Sequence, residues 1–140
     1  MVGQIYHVGL TVSNLERSLH FYRDVLGLEY QGQLLMEGKE TEAMFQRTNC
    51  KARVAYLNGS EMLHMPPVEL IQFVEEEITC KSMDLFSTSI SELCFLVEDA
   101  EQVYQMLMEQ GVECLSAPQE FDFRQAGFGR SKAFYFRDPD

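Results

Sequence analysis

An α+β fold is what the sequence predicts: two tandem βαβββ modules making one domain, with an open, curved mixed sheet around a cavity. Three observations predict it. The segment from Ile5 to Val12 alternates in the strand period and runs straight into a capped helical pattern. The same succession returns around Ser91. Short strand-like runs separated by turn residues then follow each helical pattern.

In the first repeat, Val8, Leu10 and Val12 share one strand face, while His7, Gly9 and Thr11 share the other. Ser13 or Asn14 supplies a helix N-cap, and Glu16 sits favourably in the first turn. Leu15, Leu19, Tyr22 and Leu26 recur at helical spacing until Gly27 stops the helix. Strand-like pieces follow at 31–36, 52–57 and 68–74, with Asn58-Gly59 as a hairpin turn. The acidic run Glu75-Glu76-Glu77 reads as solvated surface.

In the second repeat, Leu93, Phe95 and Val97 alternate against Glu92, Cys94 and Leu96. Glu98 or Asp99 caps a helix carrying Ala100, Val103 and Leu107, and Gly111 closes it. Shorter strand pieces are expected at 113–116 and 133–136. His7 lies on Glu92 at an offset of 85, and Gly27 on Gly111 at an offset of 84, as a diverged duplication would leave them. Module one therefore covers about residues 1–75, a linker about 76–89, and module two about 90–140, all within one domain of 140 residues.

Composition narrows the function classes. With 46% hydrophobic and 11% aromatic residues the chain can bury a core, so disorder is not expected. A net charge of −11 repels phosphate backbones and anionic lipid, which makes nucleic acid a poor partner. No run approaches the roughly 20 apolar residues of a membrane span. The opening Met1-Val2-Gly3-Gln4 carries no basic region leading into an apolar stretch, so a cytoplasmic protein is expected. Cys50, Cys80, Cys94 and Cys114 form no C-x-x-C pair and no zinc spacing. Cys94, in an apolar run, reads as a small buried thiol.

The segments His7-Val8-Gly9-Leu10-Thr11-Val12-Ser13-Asn14-Leu15-Glu16-Arg17-Ser18 and Phe21-Tyr22-Arg23-Asp24-Val25-Leu26-Gly27-Leu28 resemble the opening of vicinal oxygen chelate proteins. That superfamily holds glyoxalase I, methylmalonyl-CoA epimerase, fosfomycin-resistance enzymes, extradiol dioxygenases and metal-free bleomycin-binding proteins. Val68-Glu69-Leu70-Ile71-Gln72-Phe73 resembles the strand that closes the first module, and Glu92 to Asp99 resembles the opening of the second. Phe134-Tyr135-Phe136-Arg137-Asp138-Pro139-Asp140 resembles the turn entering the last strand, which the sequence lacks, so truncation is expected.

The resemblance implies a glyoxalase-like fold and a shared metal held by inward side chains of each module's first and last strands. Carried over by position, the metal set is His7, Glu69 and Glu92. Two departures are visible: most metal-binding relatives have histidine where Glu92 stands, and the final glutamate ligand has no counterpart here. Strand parity points the same way. His7 and Glu92 lie opposite the apolar stripes of their strands, and in a duplicated sheet the two positions face one cavity. Glu69, between Val68 and Leu70, shares a face with Ile71 and Phe73, where a carboxylate needs a cation or a proton. The ordinary alternatives are a hydrogen-bonded strand histidine and a solvent-exposed edge glutamate.

One histidine and two carboxylates disfavour a ring-cleaving iron dioxygenase, which uses two histidines and one carboxylate. His20 belongs to the first helix, and His64, before Pro66-Pro67, reads as a surface or turn residue. An oxygen-rich set suits Zn²⁺, Ni²⁺, Co²⁺, Mn²⁺ or Mg²⁺ acting as a Lewis acid. The resemblance to glyoxalase and epimerase members then implies a metal-dependent lyase or isomerase. It would act on a small oxygenated molecule, with Glu92 or the absent final glutamate as catalytic base.

Residues 119–132 are the expected specificity loop, with Gly127-Phe128-Gly129 permitting a tight turn. Arg124, Arg130, Lys132 and Arg137, four of eleven basic residues, crowd the last seventeen positions. Arg124 and Arg130, with Phe128, are candidates for binding the substrate; salt bridges to surplus acids are the competing role. The second functional reading is a metal-free small-molecule binding protein of the drug-sequestering kind, compatible with Phe121, Phe123, Phe128 and Phe134. A homodimer is the expected assembly, as in relatives.

Overall fold

A computed structural model describes residues 6–58, 67–75, 78–79 and 92–140. The chain forms two compact units, one of residues 1–80 with 139–140 and the other of residues 81–138. Gly59 of the expected Asn58-Gly59 turn, His64, Cys80 and most of the expected linker lie outside the described residues.

The first unit is a four-stranded mixed sheet in the order β1-β4-β3-β2. Its strands are β1 (Val8–Thr11), β2 (Glu29–Met36), β3 (Ala52–Asn58) and β4 (Val68–Phe73). β1 runs parallel to β4, and the other pairings are antiparallel. Val12, Val68, Leu70, Ala55 and Leu57 are buried on the face that receives helix α1 (Leu15–Leu19), as the apolar stripe predicts. Leu15 and Leu19 are buried there, each contributing about 2 kcal/mol by leaving water.

Asn14 is the N-cap of α1, its side chain accepting from the Arg17 amide at 3.0 Å. Gln72 of β4 ties the strand-to-helix turn to the sheet: its side chain accepts from Leu15 N–H and donates to the Ser13 carbonyl, both at 3.2 Å. The Asp140 carboxylate also lies at this turn, accepting from Ser13 N–H at 3.1 Å and from Arg17 at 2.6 Å.

The helical path continues to Val25, but His20–Val25 is wound as a π-helix, with Leu26 N–H reaching the Phe21 carbonyl. Gly27 ends it at φ 75°. One element was not expected. Helix α2 (Lys39–Phe45) sits between β2 and β3, starting from Gly38 at φ 93° with no capping side chain. Phe45 packs edge-on against Phe73 at 5.1 Å. Phe73 shares the strand face of Glu69, so α2 covers that face at the end of β4 away from Glu69.

In the second unit, helix α3 (Ala100–Glu109) is capped by Asp99, which accepts from the Glu101 and Gln102 amides, and it closes at Gly111. Leu107 is fully buried, and Tyr104 meets Phe134 edge-on. The segment expected as a specificity loop is instead a hairpin of β5 (Gln119–Phe123) and β6 (Gly129–Ala133), turning through a 3₁₀ turn and Gly127 at φ 83°. The strands expected at 113–116 and 133–136 reduce to one bridge between Cys114 and Phe136.

The strand expected from Glu92 to Val97 forms no ladder among the described residues. Leu93 and Phe95 are half-buried while Glu92, Cys94 and Leu96 are exposed, so the alternation holds as far as Leu96, but Val97 is exposed as well and the pairing is missing. That alternation overturns the reading of Cys94 as buried: its place on the outward side exposes it. Among the described residues, Cys50, Cys94 and Cys114 are free thiols, and no helix is long and apolar enough to cross a membrane.

Candidate functional site

Glu69 stands in the middle of three strands. The parallel register sets Gly9 of β1 beside it, and the antiparallel register sets Tyr56 of β3 on its other side. All three share the sheet face opposite α1, and His7, two residues before Gly9, belongs to the same face. The sequence reaches this geometry through two parities, the apolar stripes of β1 and β4, which turn His7 and Glu69 away from the core together.

The Glu69 carboxylate is 7% exposed, yet both of its oxygens are partnered. Oε1 accepts from the Tyr56 hydroxyl at 2.6 Å, and Oε2 stands 3.1 Å from His7 Nε2. The hydrogen bond into Glu69 favours the neutral phenol, and with burial it pushes the Tyr56 pKa up to about 12. The His7 ring keeps about a third of its side chain in water and meets Tyr56 edge-on at 6.1 Å. Gly9 keeps the space beside Oε2 open: a Cβ there would lie 3.2 Å from that oxygen.

An imidazole nitrogen and a carboxylate oxygen are donors suited to Zn²⁺, Ni²⁺, Co²⁺ or Mn²⁺. Neighbouring ligand atoms on one ion at bond lengths of about 2.1 Å lie about 3 Å apart at right angles and about 3.4 Å apart in a tetrahedron. The 3.1 Å contact between Nε2 and Oε2, itself an ion-pair distance, leaves the two atoms close enough to share an ion. Within either unit, the described residues bring no third His, Cys, Asp or Glu to such a group.

Glu92 belongs to the second unit, exposed, where the Tyr135 hydroxyl donates to it; that bond raises the Tyr135 pKa. Each unit thus pairs a carboxylate with a phenol. On the hairpin, Arg124 is bound to Asp122 by two short contacts, Nε at 2.8 Å and Nη2 at 2.6 Å. Arg130 meets the same carboxylate only at 3.9 Å. Lys132 pairs with Glu101 and Glu120, and Arg137 with Glu113. Phe128, between Gly127 and Gly129 at the turn, is 83% exposed.

A family model described as Glyoxalase/Bleomycin resistance protein/Dioxygenase superfamily matches residues 4–140. The chain belongs to this superfamily. Another protein similar to this superfamily member is the uncharacterized protein YraH of Bacillus subtilis (strain 168), 28% identical over 137 residues, covering 98% of this chain and 91% of that protein. Among solved structures, trypanothione-dependent glyoxalase I of Leishmania major superposes with a TM-score of 0.67 at 17% identity, covering 99% of this chain and 81% of that one. A glyoxalase family protein from Enterococcus faecalis superposes at 0.61 with 26% identity, covering 98% and 90%. The glyoxalase-like fold expected from the sequence is therefore the fold of this superfamily member. Sequence reasoning set His7 and Glu69 on faces that the structure brings together, and it did not single out Tyr56 or the clearance at Gly9. Gly9 carried a signal, a glycine at a site-facing strand position; Tyr56 carried none, because its partner depends on strand register.

Proposed function

We propose that the protein is a metal-dependent lyase or isomerase of the glyoxalase and epimerase kind, acting on a small oxygenated molecule. The observation that carries this reading is the His7–Glu69 pair, two donor atoms 3.1 Å apart on the sheet face opposite α1. His7 and Glu69 would hold a divalent ion (Zn²⁺, Ni²⁺, Co²⁺, Mn²⁺ or Mg²⁺); Glu92, the third member of the set that the sequence suggests, belongs to the other unit. When bound, such an ion supplies Lewis-acid stabilisation of negative charge on two neighbouring substrate oxygens. Glu92 takes the proton from the adjacent substrate carbon, and the Tyr135 hydroxyl holds its carboxylate in place. Arg130, whose contact with Asp122 is long, receives an anionic group of the substrate. Arg124 does so by exchanging its Asp122 partner, and Phe128 covers an apolar part. The working assembly is a cytoplasmic homodimer.

The test is metal analysis of protein purified without chelators, then activity on small α-oxygenated carbonyl compounds with single ions added. Glu69→Gln is expected to lose the metal and the activity together. Stoichiometric metal retained in that variant would defeat the assignment.

The second reading, metal-free binding of a small molecule, is supported by the exposed aromatics of the hairpin. Phe121 and Phe123 stack with their planes 8° apart, and Phe128 stands beyond them in sequence. It predicts ligand binding that is unchanged by chelator and by Glu69→Gln.

A further inference from the structure

Glu69 has two oxygens, and the fold treats them differently. Oε1 is taken by the Tyr56 hydroxyl at 2.6 Å, whereas Oε2 meets His7 Nε2 and lies beside the only residue without a side chain on that face of β1. Tyr56 is directly opposite Glu69 in the β3–β4 register, so its reach to Oε1 is set by backbone pairing and not by a flexible loop. The ring is further lodged against His7, edge-on at 6.1 Å.

We propose that Tyr56 is a positioning residue: by occupying Oε1 it makes Glu69 a one-oxygen ligand that presents Oε2, with His7, to the ion. This rests on the metal-centre reading above. A carboxylate free on both oxygens binds a cation through one or both of them, and its orientation is then fixed only by the ion. With one oxygen tied to a phenol, rotation about the carboxyl bond is stopped before any ion arrives. Outer partners of this kind orient ligands, and their loss costs about 10- to 100-fold in metal affinity.

Tyr56→Phe keeps the ring and removes only the hydroxyl. Chelator-treated full-length protein, wild type and Y56F, is titrated with Co²⁺ alone, recording calorimetric affinity and the visible absorption of the bound ion. Melting temperature and circular dichroism are measured on both. The expected result is a folded Y56F that binds Co²⁺ about 10- to 100-fold more weakly, with an altered absorption band because Glu69 now coordinates through both oxygens. A merely structural role for the hydroxyl would shift the melting temperature and leave the band unchanged. If Y56F matches wild type in affinity and spectrum while Glu69→Gln abolishes binding, the positioning role is overturned and the metal centre stands. If wild type takes up no Co²⁺, both readings fall.

Discussion

Tyr56 donates its hydroxyl proton into a carboxylate withdrawn from water, and that arrangement has a measurable signature. In chelator-treated protein one phenol should hold its proton until about pH 12, and Glu69→Gln should return it toward the ordinary range near 10; ultraviolet titration of tyrosinate reads both. The sign for stability follows. A phenol with a raised folded-state pKa contributes stability that is complete below about pH 10 and is lost as the pH climbs toward 12. Wild type should therefore lose its advantage over Y56F across that window in denaturant unfolding. At Gly9, an alanine Cβ would lie 3.2 Å from Glu69 Oε2 and 3.4 Å from Ile71 Cδ1. Gly9→Ala is expected to weaken metal uptake with little change in melting temperature. At this scale His7 and Glu69 were legible because alternation alone decides which face a strand residue takes. Tyr56 was not, since alternation says nothing about which residue of a neighbouring strand lies opposite.

Helix ends were the most legible elements, because a cap is a local event. Gly27 and Gly111 stand where the sequence placed them, and the structure settles the two open caps on Asn14 over Ser13 and Asp99 over Glu98. Replacing Asn14 or Asp99 by alanine should cost about 1 kcal/mol each in urea unfolding, with Asp99 the dearer because it caps two amides. Leu107→Ala, which hollows the buried side of α3, should cost about 2–5 kcal/mol. Helix α2 escaped notice for the converse reason: it starts at a glycine without a capping side chain and buries only Thr41 among its residues. The π-wound turn at His20–Val25 left no mark in apolar spacing either, since Phe21 and Tyr22 are buried in a pattern an α-helix would also show. Residues 92–97 teach a third lesson. Their alternation runs from Glu92 to Leu96 and fails at the exposed Val97, and periodicity in any case says nothing about whether a ladder exists.

For the whole molecule, the basic residues are largely paired with nearby acids, which leaves the surplus of eleven acids unmatched. Arg53 pairs with Glu16, Lys51 with Glu37, and the basic residues of the hairpin with nearby acids. Exposed pairs of this kind add little stability individually and are screened by salt. The contact between Ser13, Arg17 and Asp140 is different, because it joins positions 127 residues apart and closes the first unit around the start of α1. Asp140→Ala is expected to lower stability by about 1 kcal/mol, after discounting for the exposure of Arg17, and chemical denaturation checks it.

β1 meets β4 in parallel, which no tight turn can arrange, so His7 and Glu69 become neighbours only once β2, β3 and the intervening helices have found their places. Any ligand that grips both side chains therefore has nothing comparable to hold in the unravelled chain. At a hundred times its dissociation constant it would add about 2.7 kcal/mol to folding. Heat resistance becomes an occupancy gauge, and ions or small metabolites can be ranked by the rise in melting point they cause, with no knowledge of the reaction required.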